Sequence, residues 1–406
     1  MLKIPQDVKT QFELIDTVVY QNAQKVQKAF REARISYSDF VFTTGYGYGD
    51  TARDKMETVF ASYFGAEDAL VRPQIVSGTH AITLGLFAVL RPGDELLIFG
   101  NPYKTFEEVI GKRGKNQGSL KEWGITYKIL PFTTNPEELE VIFQNNIQKN
   151  TRMLFIQKSR GYDLRPTLLN EEIKLIIKIA KKYSSNLVVL VDNCYGEMVE
   201  PCEPIEMGAD LIAGSLIKNL GAGIAPTGGY LAGKKELIEQ AAYRLTAPGL
   251  GKEVGPSLGF ARDILQGFYF APKVVGEALK IAVLLAYFLE KTGVEVLPEA
   301  FSKRGDIVQT LIFRDKEKML KFVQTVQEYS PIDNFVTIEP SLLPGYDSPI
   351  VMASGSFVAG SSIDLSADGP FIPPYVVYFQ GGIALEYGML LIESFYEKFS
   401  LNYFLK

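Results

Sequence analysis

An aspartate, a serine and a lysine stand in order along residues 187–229. The apolar run Leu187–Asp192 (LVVLVD) ends in Asp192 and is followed by Asn193 and Tyr195. Ser215-Leu216-Ile217-Lys218 comes next, with the glycine-rich GAGIAPTGG close behind it. A lysine amine condenses with a carbonyl to give a Schiff base. A carboxylate can keep a ring nitrogen protonated, so that the ring accepts electrons from a carbanion. Both residues lie just past candidate strands, and open α/β sheets collect ligands at the carboxyl ends of their strands.

A phosphate group needs backbone N–H groups at a helix N-terminus and a hydroxyl or two. Ser77-Gly78-Thr79, opening an apolar helix, supplies the first, and Ser215 supplies the second. Amine, acid and phosphate turn together match what pyridoxal 5'-phosphate requires. His80 is the only histidine in the chain. Histidine-rich metal sites are therefore excluded, and acid–base work falls to Lys, Tyr, Asp or Glu. Cys194 and Cys202 lack the paired spacing of a zinc site, so no metal is expected, and Cys194 reads as a small buried apolar residue.

The elements that must position these residues are legible in outline. Phe12, Ile15, Val18, Val19, Val26 and Phe30 recur at helical spacing and predict an amphipathic helix over residues 8–34. Its apolar face needs covering, and a second copy of the chain is the expected cover. FTTGYGYGD, residues 42–50, reads as a loop, and a helix is predicted over 51–64 with Gly65 as its stop. Strands are predicted at 69–71, 95–99, 153–157, 187–192 and 211–214, with helices at 77–90 and 171–183. Apolar strands alternating with helices indicate an α/β class with a mainly parallel sheet covered on both faces. Past Gly255-Pro256 helical patterns run over 258–292. Strand-like segments follow near 307–313 and 350–352, and the acidic, proline-containing stretch 366–375 precedes a final helical region. The expected organisation is a helical arm at 1–45, a large domain at 46–255 and a smaller α+β domain at 256–406.

The chain has 406 residues, 47% of them hydrophobic, which is ample for a large core. A net charge of −5 with no long basic run gives nucleic acid little to hold. The longest apolar runs, Ala81–Leu90 and Ile281–Leu289, are about half the ~20 residues of a membrane span. The first residues hold no apolar signal segment, so the expected compartment is the cytoplasm.

Residues 45–260 resemble the fold-type I pyridoxal-phosphate enzymes of the cystathionine γ-synthase and methionine γ-lyase group. Within it, SGTHA, NPYKTFEE, SRGY, DNCYGE, GSLIKNLGAGIAPTGGY, APGLGKEVG and VVYFQGG resemble the aluminium-resistance, methionine γ-lyase-like family. The resemblance implies roles by position. Lys218 matches the Schiff-base lysine, Asp192 the partner of the pyridine nitrogen, and Ser215, Gly78 and Thr79 the phosphate site. Tyr103 matches the tyrosine that stacks on the cofactor ring and serves as a proton carrier. His80, directly after the phosphate turn, either faces the cofactor or caps the helix. The implied reaction is elimination at a carbon–sulfur bond of an amino acid. An aldolase or aminotransferase, or a cofactor-binding protein without turnover, stands as the alternative.

Two departures from the family pattern are visible. The Tyr-Ser-Arg phrase that reaches a neighbouring subunit's phosphate is replaced by Gly45-Tyr46-Gly47-Tyr48, with Arg53 out of register. Tyr46 and Tyr48 are then the candidate donors across a homodimer or homotetramer interface. The C-terminal arginine that holds the substrate carboxylate also has no counterpart, since Arg304 and Arg314 sit in no matching phrase. Arg160, in the Ser-Arg-Gly-Tyr loop, is the substitute.

Overall fold

The computed structural model describes residues 2–114, 117–343 and 346–399. Among them, seven strands form one sheet: β1 (Asp68–Arg72), β2 (Glu95–Phe99), β3 (Thr126–Leu130), β4 (Thr151–Gln157), β5 (Val188–Asp192), β6 (Leu211–Ser215) and β7 (Gly229–Gly233). Their order is β1-β7-β6-β5-β4-β2-β3. β7 runs antiparallel to β1 and β6, and the other pairings are parallel. The middle strands are buried on both faces, which is why they read as continuous apolar runs. The expected α/β class and mainly parallel sheet are what the structure shows.

Helices α1 (Gln6–Ala33), α2 (Thr51–Phe64), α3 (Gly78–Val89), α4 (Lys104–Ile110), α5 (Pro136–Asn146), α6 (Asn170–Tyr183) and α7 (Lys235–Leu245) accompany this sheet. Two of them begin where the sequence signals placed them. The Asp50 carboxylate accepts the Arg53 N–H to cap α2, and the Ser77 hydroxyl accepts the His80 N–H to cap α3. Gly65 ends α2 at φ +67°, a left-handed conformation that glycine takes without steric cost.

The 30-residue helix α8 (Ala261–Glu290) joins the halves of the molecule. Its Phe268 ring lies 4.3 Å from that of Phe60 on α2. Both rings are fully buried, and burying such a side chain contributes about 1.5–3 kcal/mol. α8 also receives α1, and Gly276 lets the two backbones approach because a Cβ there would overlap Val19. Val8, Phe12, Ile15, Val26, Ala29 and Ala33 of α1 are therefore buried within the same chain. The expectation that another copy covers this face is corrected. A long apolar helix 250 residues downstream supplies the cover, and periodicity alone cannot reveal a contact so distant in sequence.

A second sheet follows, in the order β10 (Ile350–Ala353), β11 (Ser366–Pro370), β12 (Val376–Gln380), β9 (Gln309–Ile312), β8 (Glu295–Leu297). It is antiparallel throughout. Helices α9 (Lys316–Glu328) and α10 (Leu385–Lys398) complete this half. The stretch 366–375 is not simply a connection before the last helix. It contains β11, and β12 intervenes before α10. No helix among the described residues is long and apolar enough to cross a membrane.

Candidate active site

A cavity of about 690 Å³ lies between the carboxyl ends of the large sheet and one face of the small sheet. Asp192 ends β5, Ser215 ends β6, and Lys218 follows three residues later; all three line the cavity. Ser77, Gly78 and Thr79 bring the N-terminus of α3 to the same wall, and Tyr103 brings the N-terminus of α4. Helix geometry leaves the first backbone N–H groups of α3 without intrahelical partners, with the positive end of its dipole facing the cavity. A Cβ on Gly78 would stand 3.0 Å from Cys194 Sγ and 3.6 Å from Ser215 Cβ, so a side chain there would fill the turn. Arg160 also lines the cavity.

The electrostatics follow from burial. Asp192 accepts the Cys194 backbone N–H at 3.1 Å, and desolvation pushes its carboxyl up to about 6. The Tyr103 hydroxyl shares a 2.9 Å hydrogen bond with Thr79 Oγ1. Burial, and then the nearby Asp192 charge, hold that phenol well above its ordinary range, so it stays neutral. Lys218 Nζ donates to Gly360 O at 2.7 Å and reaches Ser362 Oγ at 3.4 Å, with the Tyr195 ring centroid 5.2 Å away. Tyr195 itself turns the chain after β5 at φ +70°, a strained conformation for an aromatic residue. Asn219, next to Lys218, donates to Glu197 O at 2.9 Å and ties the lysine turn to the loop after Asp192.

Arg160 is buried, with Nη1 donating to Leu297 O at 2.9 Å and Thr310 Oγ1 at 3.3 Å. Its Nε has no hydrogen-bond partner, which leaves a donor for an anion. Arg304 is buried away from the cavity wall, donating to Gln309 Oε1. Arg53 is spent on Gly47 O, Glu253 O and Gly255 O, stitching the 45–50 loop to the segment before α8. His80 does not line the cavity; its Nδ1 accepts the Val76 N–H at 3.2 Å, and burial lowers its pKa. Tyr46 and Tyr48 do not reach the cavity of their own chain. Both are 65% exposed, and their rings stack on each other at 5.5 Å.

Several cavity residues escaped sequence reasoning. Gln157 stands level with Asp192 on the neighbouring strand; its Nε2 donates to Ser159 O, while its Oε1 has no partner. From the small sheet, Met352, Asp368 and Tyr378 form one cross-strand row, and Ser366 and Gln380 form the next. The signal that could have found them is polar residues at a spacing of two in Ser366-Ala367-Asp368 and Tyr378-Phe379-Gln380, since alternate side chains of a strand share a face. Tyr162 and Tyr346 close the same wall, with the Tyr162 ring 4.9 Å from that of Tyr378.

Among the described residues, no group of three or more His, Cys, Asp or Glu side chains is arranged to hold a metal ion. The donor set fits pyridoxal 5'-phosphate instead. It offers an amine for the aldehyde, a buried carboxylate for the ring nitrogen, and a helix N-terminus with hydroxyls for the phosphate.

Comparison with known proteins finds relatives over most of the chain. The methionine gamma-lyase family model matches residues 1–400. A solved carbon–sulfur lyase involved in aluminum resistance from Clostridium novyi NT is 45% identical, with a TM-score of 0.90 over 95% of this chain and 91% of that one. A solved Bacillus cereus protein is 47% identical, with a TM-score of 0.91 over 96% and 97% of the two chains. An uncharacterized protein of Bacillus subtilis is 48% identical over 94% of this chain and 91% of its own length.

Proposed function

The chain belongs to the methionine gamma-lyase family, and from that premise we propose that it is a pyridoxal 5'-phosphate-dependent lyase breaking a carbon–sulfur bond of a small amino acid. The observation that carries this reading is Asp192. It is a buried carboxylate with no ion-pair partner among the described residues, and it faces the same cavity as Lys218. A buried acid in that state calls for a positive N–H group, which a protonated pyridine ring provides. When bound, the cofactor supplies the electron sink for a carbanion at the substrate Cα.

The remaining work falls to the chain's own side chains. Lys218 would hold the cofactor through its amine, and once the substrate's amine has taken its place the freed Nζ would take up the proton at the substrate Cα. Asp192 keeps the proton on the ring nitrogen. Ser77, Gly78, Thr79 and Ser215 would bind the phosphate, and Gln157, level with Asp192, would offer its amide to the same ligand. Tyr103, held neutral by burial, would lie against the cofactor and supply the proton to the departing sulfur. Arg160 holds the substrate carboxylate through its unpartnered Nε. His80 braces the phosphate turn through Val76. The minimal unit in this reading is a homodimer, paired or not into a tetramer, with Tyr46 and Tyr48 completing the partner's phosphate site.

Reconstitution with pyridoxal 5'-phosphate tests the assignment. The wild-type protein gains an absorbance band at the visible edge, and borohydride fixes the cofactor to the peptide carrying Lys218. Lys218→Ala retains no cofactor after dialysis. A borohydride-stable adduct on that variant would overturn the lysine assignment. Failure of the loaded wild-type protein to release a thiol from any S-alkyl cysteine or from methionine would overturn the lyase reading.

A further inference from the structure

We propose that Asp368 and Gln380 form a subsite for a cationic group carried beyond the substrate's sulfur, so that the enzyme prefers thioether amino acids with a second ammonium. This rests on the lyase reading of the cavity and extends it to substrate choice.

Asp368 is buried on β11 and lines the cavity, yet no lysine or arginine lies within ion-pair distance among the described residues. Its partners are the Tyr162 hydroxyl, which donates to Oδ2, and Gln380 Nε2, 3.5 Å from Oδ1. Both are neutral. Gln380 is 7% exposed, and its Oε1 has no partner although it borders the same space. The Asp368 carboxylate thus has only neutral partners, and the Gln380 Oε1 beside it is left without a hydrogen bond. An ammonium brings three donors and no acceptor, and it meets that demand directly.

The surrounding rings point the same way. Tyr162 and Tyr378 stack at 4.9 Å beside Asp368, and Tyr346 lies 5.9 Å from Tyr162. Aromatic faces carry the negative part of the ring quadrupole and attract cations. Arg160, the cationic residue on this side of the cavity, has Nη1 turned to Thr310 and Leu297. Burial pushes Asp368 up to about 7, with only the Gln380 amide opposing it. A cation seated there would bring the acid back to its charged form.

The position fits a specificity role rather than the bond-breaking step. Asp368 is carried by the small sheet, whereas Asp192, Lys218 and Tyr103 are carried by segments that follow strands of the large sheet.

Two nearly isosteric probes test the proposal: S-(2-aminoethyl)-L-cysteine and S-propyl-L-cysteine, which differ in the distal ammonium. With cofactor-loaded wild-type enzyme, kcat/KM is expected to favour the aminoethyl compound by about tenfold or more, mainly through KM. Asp368→Asn removes that preference and leaves the propyl compound and cofactor uptake unchanged. Calorimetric binding of both probes is measured alongside turnover. If the wild type shows no preference in either binding or KM, the subsite is wrong, whatever the variant does. An equal loss of kcat on both probes in Asp368→Asn would assign the residue to chemistry and also overturn the proposal. Asp368-dependent binding without thiol release would leave the subsite standing and bring down the lyase reading instead.

Discussion

Asp192 is held in a state that costs the cofactor-free protein stability, a cost that a bound cofactor would offset in the proposed reading. Its folded pKa, about 6, lies above the ordinary 3.8, because burial disfavours the charge. The folded state therefore binds more protons than the unfolded state between those values. The stability contribution of this group falls as pH rises through that window and stays low above it. A shift of this size corresponds to at most about 3 kcal/mol at neutral pH. Asp192→Asn keeps an acceptor for the Cys194 N–H and removes the buried charge. Without cofactor, the variant is expected to be more stable than wild type at pH 8, with a smaller margin at pH 5; the margin changes by about 1 kcal/mol. With cofactor the order reverses: the variant gains less from pyridoxal 5'-phosphate and loses most turnover. Melting temperatures at pH 5 and 8, with and without cofactor, check both signs. A wild-type advantage without cofactor at pH 8 would show that Asp192 is not an uncompensated buried charge.

Helix packing gives the element-scale test. Gly276 on α8 is where α1 crosses, and any Cβ there overlaps Val19. Alanine favours a helix over glycine by about 1 kcal/mol, so propensity alone would make Gly276→Ala stabilising. Packing is expected to win, with a net loss of about 1–3 kcal/mol in urea unfolding. Val19→Ala should recover much of that loss in the double variant, since Val19 Cβ lies an ordinary 3.7 Å from the new methyl. A stabilised single variant would mean that α1 does not sit against α8. The sequence told of α8 and of α1 but not of their meeting, because periodicity marks a face and not its partner. The same limit divides the strands. β5 was plain from its apolar run, and so were Asp192 at its end and the lysine turn after β6. β7, whose sequence is GYLAG, was hidden by its glycines, which close packing requires: a Cβ on Gly229 would meet Ile75, in the turn after β1, at 2.6 Å. β11, whose sequence is SADGP, was hidden because its polar residues face the cavity. Half of the candidate site thus stood in one readable stretch. The other half came from strands whose exposure to a ligand erases the apolar pattern that reveals strands.

At the scale of the whole molecule, the surface around the 45–50 loop decides whether one chain suffices. The loop is clamped from behind: Gly255 N donates to Tyr46 O at 2.9 Å, Arg53 holds Gly47 O, and Ser257 N donates to Asp50 at 2.7 Å. Its outward side carries Tyr46 and Tyr48, and Tyr37, Val41 and Phe42 upstream in the chain are 64–84% exposed. Gln74 donates to Pro256 O at 2.7 Å, which ties this surface to the turn that leads to Val76, itself 73% exposed, and then to Ser77. An exposed apolar surface of this extent, leading to the Ser77–Thr79 turn, is suited to the interface between copies proposed above. Two-fold pairing would set each copy's tyrosines against the other's turn. Subunit mixing tests this directly. Tyr46→Phe/Tyr48→Phe lacks the donated hydroxyls, and Lys218→Ala lacks the lysine, so each parent is impaired at both of its sites. A hybrid dimer holds one complete site, formed by Lys218 of one copy and the tyrosines of the other. Half the dimers in an equal mixture are hybrids, so about a quarter of wild-type activity is expected once subunits exchange. Exchange is followed by native mass spectrometry of differently tagged copies. Verified exchange with no returning activity, or an active monomer in sedimentation, would place the tyrosines outside the chemistry.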